Sequence, residues 1–333
     1  MEDFTNNGIF ETAQTDFFAE QNEKRAVRRI SWAIAVPGVI FFLVTGYWGK
    51  IILSVAGRLG IENERVMAFL RDPGVLQLLQ IGLSFLLMTA PFILCAKIAG
   101  ARVGKIAALK KPESGSNLAY FFFGLGFCSF ANIAVNTAGR LFKEFGVYYT
   151  MPKSEDPEGA FGVLLVIFST VIVPAVLEEF AFRGIVFGLL LPYGEGFAIL
   201  ATATVFGLFH GNFEQIPFAF LVGLVLGFVR VKTGSIALCM AIHAANNLVA
   251  MSTSYSSALP TAVSSLLYTA YVMAALTLSV LGVAFLRGRN DFVFSPAKTA
   301  LSAKKVSAAF FASPAFIIYA ALFLFRAVRY ITG

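Results

Sequence analysis

From Gly159 to Leu177 the chain runs nineteen residues without a formal charge, and eleven more uncharged residues follow from Gly184 to Gly194. Between them stands "EEFAFR", Glu178 to Arg183. The hydrocarbon core of a bilayer is about 30 Å thick and is crossed by roughly 20 apolar helical residues. The stretch therefore reads as a membrane span that carries Glu178, Glu179 and Arg183 inside it. On insertion scales each such group costs roughly 2.5–3.5 kcal/mol at the bilayer centre. Pairing, water or chemistry has to offset that cost.

The rest of the chain supports a membrane setting. Hydrophobic residues make up 58% and charged residues 14%, with mean hydropathy +0.77. A soluble domain would carry about a quarter charged residues. Apolar runs fall at about 30–49, 73–97, 117–139, 159–182, 196–211, 215–231, 234–251, 262–286 and 306–326. The fold class is an all-α polytopic transmembrane helical bundle of about eight to nine spans. Residues 1–29 read as a loose, partly helical cytoplasmic tail without the basic start of a signal peptide. Residues 30–154 read as N-terminal spans, with an amphipathic interfacial helix near 51–70. Residues 252–333 form the C-terminal spans.

With the N-terminus inside, sixteen Lys and Arg residues lie inside and nine outside, and Arg183 falls within a span. Positive residues favour the cytoplasmic side, so the split favours a cytoplasmic N-terminus in an inner or plasma membrane. An odd number of spans then puts the C-terminus outside. The net charge of +7 is accounted for by orientation and does not indicate nucleic-acid binding. Cys95, Cys128 and Cys239 are far apart in apolar segments and read as small buried hydrophobes.

Both histidines of the chain, His210 and His243, sit in apolar segments, as do Asn246 and Asn247. Glu179 and Arg183 are four apart, share a helix face and can pair. Glu178 lies about 100° round the helix and is free to point elsewhere. His243 and Asn247 also share a face. Glu178 lies sixteen residues before Gly194 and His210 sixteen after it, so two antiparallel helices leaving that turn would bring them to one level. One carboxylate, two imidazoles and a carboxamide suit attack of water on an amide. Glu178, with His210, would take the proton, and His243 with Asn247 would donate to the oxyanion. This scheme requires no cofactor. The rival is a divalent metal such as zinc, held by two imidazoles and a carboxylate. A buried-charge ion path in a transporter and a non-catalytic scaffold or immunity protein are the other readings of the same residues.

Three motifs, EExxxR in "EEFAFR", FxxxH in "FGLFH" and HxxxN in "HAANN", occur in this order over about 155–251. Together they resemble the CPBP family, which includes CAAX prenyl endopeptidases and bacteriocin-processing or self-immunity proteins. The resemblance implies a helical intramembrane peptidase core over 155–251, acting on a peptide or protein substrate that in some members is lipidated. It implies that Glu178 and His210 activate water and that His243 and Asn247 form the oxyanion site. Glu179, Arg183 and Phe206 fill the remaining motif positions. The family often carries the label metalloprotease. Two GxxxG pairs, Gly184/Gly188 and Gly223/Gly227, predict close helix packing.

Overall fold

The computed structural model describes residues 4–58, 60, 64–107, 116–149, 156–255, 259–288, 293–295, 297 and 299–332. Among them, seven helices are long and apolar enough to cross a membrane, or eight if a bent pair counts as one span. The protein is an integral multi-pass membrane protein.

Helix α1 runs Phe4–Arg58, so the tail expected to be loose and partly helical is helical throughout from Phe4, and helix continues beyond residue 49 to Arg58. Helix α2 is Glu64–Arg71. The amphipathic helix expected over 51–70 is thus two pieces, the end of α1 and α2, and residues 59 and 61–63 lie outside the described residues. Helix α3 is Pro73–Ile98, α4 the single turn Val103–Ile106, and α5 Asn117–Glu144. The span with the charges, Gly159–Tyr193, is not one regular helix. It reads α6 (Gly159–Ile167), a π-helical turn (Phe168–Ile172), α7 (Val173–Glu178), a second π-helical stretch (Glu179–Val186), α8 (Phe187–Leu190) and a closing 3₁₀ turn.

Gly194, at φ 115°, then reverses the chain into α9, Glu195–Phe209. At 15 residues α9 is about 22 Å long, which is too short to cross the hydrocarbon alone. The fifth expected span is thus a short inner helix, and ten of its residues are buried. Helices α10 (Gln215–Thr233), α11 (Ile236–Tyr255) and α12 (Thr261–Arg287) follow. The last expected span is α13 (Ala303–Phe311) and α14 (Pro314–Val328), bent by 58°. Ser313 caps α14 by accepting from Phe316 N, and Pro314 opens the helix where no N–H is needed.

Helix α1 runs parallel to α13 and α14. Lys305 pairs with Glu20 at 2.6 Å, Tyr319 lies against Gly38, and Phe323 meets Phe42 with ring centroids 5.1 Å apart. The far end is tied by a short antiparallel strand pair, Tyr148–Tyr149 (β1) with Ile331–Thr332 (β2). The start of α1 and the end of α14 therefore lie at opposite ends of the bundle. Both GxxxG pairs are close-packing sites, as expected. A Cβ on Gly223 would meet Ala203 Cα at 2.9 Å, and one on Gly188 would meet Ile106 Cβ at 2.5 Å.

Candidate active site

The site is assembled where the charged span departs from α-helical geometry. Pro174 has no N–H and so cannot donate to the Thr170 carbonyl four residues back. That oxygen accepts from Asn247 Nδ2 on α11 at 3.1 Å. Thirteen residues further on the ladder slips again. Phe187 N–H bonds Phe182 O and Gly184 O and passes over the carbonyl of Arg183. Arg230 Nε on α10 donates to that carbonyl at 3.3 Å, and its Nη2 donates to Ile106 O at 3.2 Å. Such π turns are frequent at functional sites because they re-aim side chains. Here each leaves a carbonyl that draws in a polar side chain from a neighbouring helix.

The two glutamates have separate environments. Glu179 is fully buried; its Oε1 accepts from Arg183 Nη1 at 2.9 Å and from His243 Nδ1 at 2.8 Å. The Arg183 guanidinium is also fully buried, with its carbon 4.3 Å from the centroid of the Phe206 ring. A desolvated guanidinium on an aromatic face gains from the ring's negative face. Glu178, about 100° round, has an 18% exposed side chain, and its Oε2 carries no hydrogen bond. That oxygen lies 4.0 Å from His243 Nε2. His243 thus stands between the two carboxylates, one on each ring nitrogen.

His210 caps the C-terminus of α9 and is partly buried, with Nδ1 2.9 Å from Phe206 O. A carbonyl only accepts, so Nδ1 carries the proton and Nε2 of the neutral ring keeps its lone pair. Both imidazoles lie edge-on to Phe206, with centroids at 4.9 Å for His210 and 6.1 Å for His243. Phe206 therefore packs against Arg183 and both histidines.

The structure brings Glu178, Glu179, Arg183, His243 and Phe206 together, with His210 on the same ring and Asn247 anchored one turn below His243. His243 Nε2 lies 4.0 Å from Glu178 Oε2, and the count from Gly194 sets Glu178 level with His210. That count assumed regular helix on both arms, and the π-helical stretch Glu179–Val186 changes rise and rotation on one of them. Arg230 and Thr170 escaped sequence reasoning. Arg230 is one of the basic residues counted to the inner side, and a backbone carbonyl leaves no mark in a sequence; Pro174 was the one available signal. Among the described residues, no group of three or more His, Cys, Asp or Glu side chains is arranged to hold a metal ion.

Residues 160–249, from the start of α6 into α11, match the family described as type II CAAX prenyl endopeptidase Rce1-like. No curated protein and no solved structure matches the chain.

Proposed function

We propose that this protein, a member of the CPBP family of CAAX proteases through the Rce1-like domain at residues 160–249, hydrolyses a peptide bond with a water held at Glu178. At family level it is an intramembrane endopeptidase of the CAAX type. The water-activating chemistry is the part proposed here.

The observation that carries the reading is the unpartnered Glu178 Oε2, an acceptor in a largely apolar interior facing His243 Nε2. A buried acceptor left without a donor costs about 1–3 kcal/mol, and a water there would satisfy it. Glu178 would take the proton as that water attacks, and the free Nε2 of His210 would supply the second acceptor. His243 suits the donor role. Its Nδ1 faces a carboxylate, which only accepts, so Nδ1 is protonated. A second proton on Nε2 would bring the set of Glu178, Glu179, Arg183 and His243 to zero net charge and aim an N–H at the developing oxyanion. Asn247 holds Thr170 O with its amide nitrogen and has a second N–H to offer the same oxygen.

The test is cleavage of membrane-anchored peptides by purified protein in nanodiscs, read by mass spectrometry. Wild-type protein should generate a new amino terminus. Glu178→Gln, which keeps the shape and removes the base, should lower kcat by about 10²–10⁴-fold without lowering the melting temperature. Cleavage by that variant at the wild-type rate would end the proposal.

A further inference from the structure

Beside the hydrolytic centre lies a second, polar cavity that the chemistry above does not use. Its volume is about 600 Å³, and it is walled by α5, α11 and α12. Its floor is Ser129 on α5, whose hydroxyl lies 3.0 Å from that of Tyr271 on α12. Asn246 on α11 lines it too, and Asn246 Nδ2 donates to Asn247 Oδ1 at 3.4 Å. The inner end of the cavity is thus one hydrogen bond from the candidate oxyanion donor. Asn136 and Arg140 follow Ser129 along the α5 wall, and Arg140 is the only residue of the lining with a formal charge. Among the described residues, no hydrogen bond or ion pair engages its guanidinium.

Polar side chains in a membrane interior face a wet cavity or a ligand, because lipid cannot satisfy them. The volume lies within the range of ligand sites. Arg140 lies eleven helical steps beyond Ser129, a rise of about 16 Å, which matches about five residues of extended chain. Two of the three walls, α5 and α12, lie outside residues 160–249. Most of the lining is therefore supplied from outside the matched residues.

We propose that this cavity binds the polar segment of a peptide substrate on one side of the scissile bond, and that Arg140 reads a carboxylate at its far end. The carboxylate belongs either to an acidic side chain or to a chain terminus. The proposal rests on the endopeptidase reading for the identity of its ligand. Arginine suits the task because its planar fork meets a carboxylate bidentately.

The experiment measures binding and not turnover. Glu178→Gln protein in nanodiscs is titrated with three labelled, membrane-anchored peptides of one core sequence. One ends in a free carboxylate, one in an amide, and one in an amide with an aspartate about five residues from the core. At least one carboxylate peptide should bind about tenfold more tightly than the neutral amide, and the better of the two names the source. Adding Arg140→Gln should level the three, and Arg140→Lys should retain part of the preference. Equal binding of all three peptides, no binding of any, or a preference that survives Arg140→Gln would overturn the proposal. Loss of cleavage by wild-type protein would instead sink the hydrolytic reading and leave this result standing. Arg140 is exposed, so its replacement should leave the melting temperature in place.

Discussion

Two helix pairs in this molecule are closed by glycines, and they live in different surroundings. In α9 with α10, a Cβ on Gly207 would meet Ile216 O at 2.9 Å, and one on Gly223 would strike Ala203. In α5 with α12, a Cβ on Gly126 would meet Ala275 O at 2.6 Å, and one on Gly282 would meet Ala119 O at 2.8 Å. Yet ten of the 15 residues of α9 are buried, against three of the 27 of α12. Lipid tails are as apolar as leucine, so hydrophobicity does not decide which apolar helix goes inside. Packing and hydrogen bonding do. Helix α9 lies beside the span that holds Glu179 and Arg183, and its Phe206 covers the guanidinium. Helix α12 turns most of its surface outward.

The comparison breaks hardest if the charges of the inner half are not what it must enclose. Arg183→Met leaves Glu179 buried with His243 as its remaining partner. Removing one member of a buried pair costs about 3–5 kcal/mol. The expected outcome is a steep fall in melting temperature, measured in detergent, with part of it recovered when Glu179→Gln is added. An unchanged melting temperature for Arg183→Met would mean that the inner half does not depend on this pair.

The sequence makes some of this legible and hides the rest for physical reasons. Spans show because about 20 apolar residues cross a bilayer, and the Glu179–Arg183 contact shows because i,i+4 neighbours share a face. Phe206 was found through its motif. Its role as the ring shared by Arg183, His210 and His243 needed the tertiary packing of α9. Hydropathy could not tell α9 from a full span, since length alone separates a buried inner helix from a crossing one. The nearness of His243 to Glu178 was hidden because π turns depend on neighbours to take up their carbonyls, and those neighbours are 47 and 77 residues away.

A matched pair of substitutions sharpens the contrast between the halves. Val205 on α9 is 1% exposed and Val280 on α12 is 67% exposed. Val205→Ala opens a void among packed neighbours and should cost roughly 2 kcal/mol. Val280→Ala exchanges one lipid-facing apolar surface for a smaller one and should stay within about 0.5 kcal/mol. Thermal unfolding of both variants in the same detergent decides the matter. Equal shifts would show that α9 is no better packed than α12.

The smallest expected effect probes the backbone itself, regular in α5 and α12 and irregular in Gly159–Tyr193. Pro174→Ala restores an N–H where the helix lacks one, and that donor competes with Asn247 for Thr170 O. Released from its anchor, the Asn247 carboxamide gains rotamer freedom and is less often aimed at the proposed oxyanion site. The expected result is a drop in kcat of about three- to tenfold with KM little changed, because on the proposed mechanism the lost interaction belongs to the transition state. Stability should hold or rise, since proline is removed from a helix interior. A merely structural proline would give the opposite pattern, an unchanged kcat with an altered melting temperature. In that case the bond from Asn247 to Thr170 would be a packing contact, and the inner half would owe its chemistry to side chains alone.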